Sequence, residues 1–153
     1  MSYRLQSDEK LSKGLKRIAQ EEIDDALSFL ESPGDDLDEA VHESRKCFKK
    51  VRGLLRLIRK EIGEEGYQRE NVCFRDAGRL LSDLRDSAVK INLLDDLKED
   101  DDLDLPPESL DSMREALVIF YHATRQRVVE EENSLAQAAD MIQAARHRVE
   151  EWP

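Results

Sequence analysis

The most distinctive chemistry in this sequence lies in "HESRKCFKKVRGLLRLIRK", where His42, Arg45, Lys46, Lys49, Lys50, Arg52 and Arg56 follow one another within four helical turns. A guanidinium donates two parallel hydrogen bonds to an oxyanion, an ammonium adds mobile point charge, and an imidazole donates one bond more. Together they suit a ligand with many phosphate-like oxygens. The concentration is local: residues 41–60 carry eight Lys or Arg and one acid, a net +7 that leaves −18 for the rest of a chain of formal charge −11.

These side chains have to be positioned by a helix. At about 100° per residue, Val41, Ser44, Cys47, Phe48, Val51, Leu54, Leu55, Ile58 and Ile62 fall on one side of it, the face expected to meet a core. The cations cover the other side. A face that only solubilises a helix interleaves Glu with Lys at i,i+4, whereas like charges at that spacing cost stability, which implies a counter-anion. That anion is either an acidic surface of a protein, this one included, or an external polyanion. On the next predicted helix Arg75 and Arg79 stand one turn apart and extend the basic surface, and Arg17, with Lys13 and Lys16, gives the first helix a smaller cluster bordering the same groove.

The remaining elements read as helices throughout. Leu11, Leu15, Ile18, Ile23, Leu27 and Leu30 repeat at helical spacing and stop at "SPGDD", where an Asp is placed to cap the next helix. That second helix is expected from about Asp36 to Ile62, a "GEEG" turn follows, and a third helix is expected from about Tyr67 to Asp95. Residues 95–107 read as an acidic loop, with a fourth helix from about Glu108 and a pattern resuming as a fifth through Val149. The fold class is therefore all-α, an antiparallel four-helix-bundle-like arrangement with a further C-terminal helix, in one domain over residues 1–153.

Composition narrows the function classes. No apolar run approaches the ~20 residues of a membrane helix, and the N-terminus lacks the apolar core of a signal peptide, so a cytoplasmic protein is expected. Cys47 and Cys73 fall on apolar helix faces and are expected to be buried reduced thiols. Glu39 and His42 have the Glu-x-x-His spacing of di-metal carboxylate bundles, but neither His122 nor His147 has an acid three residues before it. The basic segment has a single aromatic, Phe48, on the core side, which argues against single-stranded nucleic acid. A duplex phosphate backbone and an acidic protein docked on an interaction scaffold stay as alternative ligands.

The stretch "HESRKCFKKVR" resembles the His-x-x-Arg-x-x-x-Lys/Arg-Lys/Arg-x-Arg pattern of the CHAD family, the conserved histidine α-helical domain, with His42, Arg45, Lys49, Lys50 and Arg52 at its positions. "LSKGLKRIAQEEIDDALSFL" and "GRLLSDLRDSAV" are similar to the helices flanking that motif, with Arg85 and Asp86 on its Arg-Asp pair. The specific similarity covers residues 8–94.

The resemblance implies binding of inorganic polyphosphate on basic helix surfaces, without catalysis or cofactor, and association with polyphosphate granules. It also implies two related bundles facing a shared groove, each contributing one motif. This chain carries one: "YHATRQRV" has Val129 and Glu130 where Lys or Arg would be needed. The resemblance thus leaves three readings open: a half-domain, a homodimer that completes the missing half of the groove, or weak binding.

Overall fold

The structure, a computed structural model, describes residues 3–153. It is all-helical: α1 (Leu11–Glu31), α2 (Leu37–Leu57), α3 (Arg59–Leu80), α4 (Ser82–Lys98), α5 (Pro107–Arg125), a π-helical segment (Gln126–Glu131) and α6 (Ser134–Glu150). Helices α1, α2, α3 and α6 close a ring in which α2 and α6 each pack between α1 and α3. Cross-contacts set the direction of α6: Arg146 Nε donates to Asp24 at 2.8 Å and Arg148 Nε to Glu70 at 2.6 Å, so it runs antiparallel to both α1 and α3. Helices α4 and α5 form a hairpin that leans more thinly on α2 and α3, tied at its base by Tyr121 Oη donating to Asp38 Oδ1 at 2.7 Å. Among the described residues no helix is long and apolar enough to cross a membrane.

The second and third helices end differently from the sequence expectation. Asp36 caps α2 as expected, its Oδ1 accepting from the Glu39 backbone N–H. The helix bends at Ile58, residues 59–62 make one further turn, and the chain reverses at Gly63 alone, whose φ of 80° lies in the left-handed region that glycine enters without a Cβ clash. The expected helix from Tyr67 to Asp95 is two helices, interrupted at Leu81. There the backbone tightens, Leu81 N–H donating to the Gly78 carbonyl at 3.2 Å, and the Ser82 hydroxyl takes the Arg79 carbonyl that the break leaves over. The break shifts the apolar phase: Leu81 is fully buried and Leu80 only partly. It also extends α4 to Lys98, so Asp95 and Asp96 of the acidic run are helical.

Phe48, Val51, Leu55, Ile58 and Leu84 lie in one buried cluster, with Leu80 and Ile91 packed on its edge. Both cysteines are free thiols. Cys47 is buried, and burial, helped by the nearby Glu22 carboxylate, pushes its thiol up to about 12; Cys73 is only half-buried. A charged pair runs through this apolar interior: Glu70, with no exposed surface, accepts from Arg148 at 2.6 and 3.2 Å and from Arg69 at 3.2 Å. Three donors to one carboxylate offset its desolvation.

Candidate polyanion-binding groove

Antiparallel packing of α2 on α3 makes a groove of about 280 Å³ whose floor is Phe48, Phe74 and Gly78. The two rings meet at 6.0 Å between centroids, tilted by 59°, and hold the helices at a fixed separation. A Cβ at Gly78 would stand 3.7 Å from Phe48 Cδ2, ordinary contact, so the glycine leaves the floor open without being sterically required. The walls are cationic: Arg45, Lys49 and Arg52 from α2, Arg75 and Arg79 from α3. Among the described residues no carboxylate lines this hollow.

The convergence follows from helix geometry. Arg45, Lys49 and Arg52 are spaced 4 and 3 along α2, and Arg75 and Arg79 are spaced 4 along α3, so each set forms one stripe on its helix. The two stripes face across the apolar contact. Two of the arginines are held at their Nε edges: Arg52 donates to Asn71 Oδ1 at 3.0 Å, and Arg75 donates to Asp76 Oδ1 at 2.9 Å. Asp76 also stands 3.9 Å from Arg79. Among the described residues Arg45, Lys49 and Arg56 have no carboxylate within ion-pair distance.

The other expected site residues divide according to their flank of α2. His42, half-buried, and Arg56, exposed, continue the Arg45, Lys49, Arg52 stripe by one turn at either end. Lys46 and Lys50 lie on the opposite flank. Lys46 pairs with Glu43 at 2.9 Å, which raises its pKa, and Lys50 Nζ donates to Glu22 Oε1 of α1 at 3.1 Å. Gly53 is on that flank too, with the Tyr3 hydroxyl 3.7 Å from where its Cβ would be. The Tyr3 hydroxyl donates to the Lys50 carbonyl, so the N-terminal segment covers this side of the helix.

Arg17 lies away from the groove. Its guanidinium is clamped by Glu9 at 2.6 Å, Glu21 at 3.0 Å and the Arg4 carbonyl at 3.0 Å; these bonds raise its pKa and hold the Glu9 carboxyl down at about 2. The Arg79 to Asp83 pair suggested by their i,i+4 spacing does not form, because Asp83 accepts from Arg127 of the π-helical segment at 2.9 Å. Among the described residues no three His, Cys, Asp or Glu side chains gather at metal-binding distance, so Glu39 and His42 lack the companions a di-metal site needs. Sequence reasoning missed Asn71 and Asp76. The spacing of Asn71, Arg75 and Gly78 along one stripe was the available signal.

The sequence model of the CHAD domain family matches residues 15–153. The chain belongs to the CHAD domain family. The match runs through the α4–α5 hairpin and α6, well past the segment that carries the basic motif, so the hairpin and the closing helix are part of the CHAD domain match. No curated protein and no solved structure matches the chain. In this CHAD chain the motif residues His42, Arg45, Lys49 and Arg52 share one edge of α2, while Lys50, also a motif position, is turned to α1.

Proposed function

We propose that this CHAD chain binds inorganic polyphosphate in the α2–α3 groove, by charge and hydrogen bonding and without turnover. The observation that carries the reading is the lining: five cations from two helices converge over an apolar floor with no carboxylate in the wall. A chain of phosphates places an oxyanion at every repeat, matching a run of donors that has no internal structure to recognise beyond charge and spacing. The family membership supports the same ligand, since CHAD domains are associated with polyphosphate. An open groove also leaves room for two chains to share one polyphosphate, and the same family association is the basis for proposing a cytoplasmic location at polyphosphate granules.

The test is titration of the purified chain with long-chain polyphosphate, with the molar mass measured free and bound. Binding that weakens steeply with salt, and that survives competition by duplex DNA at matched phosphate concentration, is expected. Doubling of the mass on binding is the result expected if two chains share the ligand. Equal competition by duplex would shift the reading to a general phosphate-backbone binder, and salt-independent affinity would remove the electrostatic basis altogether.

A further inference from the structure

We infer that Asn71 is a positioning residue of the groove, which aims Arg52 at the bound anion without cancelling its charge; the inference rests on the polyphosphate reading and deepens it. Arg52 Nε donates to Asn71 Oδ1 at 3.0 Å, with both residues half-buried between α2 and α3. A guanidinium has only donors, so the facing atom of Asn71 is its oxygen. One edge of the planar fork is thereby fixed, leaving the terminal nitrogens for a ligand.

The chemistry of the holder is what distinguishes this contact. Lys46 is held by Glu43, Lys50 by Glu22, Arg17 by Glu9 and Glu21, and Arg75 by Asp76, all carboxylates that offset part of the charge they orient. Arg52 is held by a neutral amide. It keeps its full charge beside Lys49 and Arg45, and among the described residues none of the three has a carboxylate within ion-pair distance. Pre-orientation lowers the rotamer entropy an arginine loses on binding, so Asn71 raises affinity through Arg52 and not by touching the ligand.

A double-mutant cycle on the full chain with long-chain polyphosphate tests this, because it isolates action through one partner. Asn71→Ala should weaken binding roughly 3- to 10-fold, about the worth of one hydrogen bond. In an Arg52→Ala background the same change should have no further effect. The log-log salt slope should stay at the wild-type value in Asn71→Ala, whereas Asn71→Asp, which keeps the acceptor and adds a charge, should make it shallower by about 0.7. A purely structural residue would lower the melting temperature and weaken binding equally in both backgrounds, and that result would overturn the inference, as would wild-type affinity in Asn71→Ala. If Arg52→Ala itself binds like the wild type, or the wild type fails to bind, the function reading falls first and takes this inference with it.

Discussion

Reversal of Lys49 and Arg52 to Glu is the sharpest test of the groove. Five cations line it, and at roughly 0.7 released counterions per phosphate engaged, by analogy with single strands, the log-log salt slope should be about −3.5. Raising salt from 50 to 200 mM should then weaken wild-type binding about 100-fold. The double reversal leaves Arg45, Arg75 and Arg79 as cations facing two introduced carboxylates, a net of one positive charge; the slope should fall to about −0.7 and the salt effect to about 3-fold. Two charge-assisted hydrogen bonds at about 1.5 kcal/mol each are also lost, an affinity drop of at least about 100-fold before repulsion is counted. The fold should persist, since Lys49 is exposed and Arg52 half-buried, with Asn71 as its one side-chain partner among the described residues. The control needs the same four-unit charge change elsewhere. Arg114 and Arg148 are unsuitable, being tied to Asp95 and Glu70, whereas Lys10, at the N-cap of α1, and Lys13, in its first turn, are exposed. Acids there suit the helix N-terminus. Binding is followed by anisotropy of end-labelled polyphosphate at both salts, with helicity checked by circular dichroism. If Lys10→Glu/Lys13→Glu loses as much affinity as Lys49→Glu/Arg52→Glu while both remain helical, net charge rather than the groove governs binding.

Other expectations concern the scaffold that holds the groove. Leu84→Ala and Leu55→Ala, at fully buried positions, should each cost roughly 2 to 5 kcal/mol in urea unfolding through the cavity left behind; a loss within surface-mutation scatter would mean the helical phase is wrong. Arg148→Ala leaves the buried Glu70 carboxylate with Arg69 as its partner and should cost about 3 kcal/mol, at the low end of the range for breaking a buried pair because that second arginine still pairs with it. Restoring an apolar interior with Glu70→Leu in the same chain should recover much of that loss. The Glu9 carboxyl is held at about 2 by Arg17, below its ordinary value, so its stabilisation is present above the ordinary carboxylate range and disappears as pH falls toward 2. The melting temperatures of wild type and Glu9→Gln should therefore converge between pH 5 and about 2; parallel curves over that window would show that the clamp contributes nothing.

Helical class, the apolar face of α2 and the presence of a dense basic stripe on its other side were all legible in the sequence, because each depends on residues within one or two turns of each other. Val41, Cys47, Phe48, Val51 and Leu55 repeat at the helical period, and backbone geometry alone brings them to one side. The i,i+3 spacing of Glu43 and Lys46 was equally local, yet the sequence reading left Lys46 among the ligand-facing cations, and the structure pairs the two. Which cations remain free is another matter. Lys50 is neutralised by Glu22, 28 residues earlier, and Arg148 is drawn inward by Glu70, 78 residues away. Arg75 and Arg79 join Arg45, Lys49 and Arg52 only because Phe48 and Phe74 pack α2 on α3 in one register. The sequence determined that one helix would carry a dense positive arc, since periodicity is written into neighbouring residues. Only the tertiary structure decided that Lys50, on the α1-facing side of that arc, pairs with Glu22 while Arg45 and Lys49 on the α3-facing side meet Arg75 and Arg79, because charges pair by distance in space, and packing sets that distance.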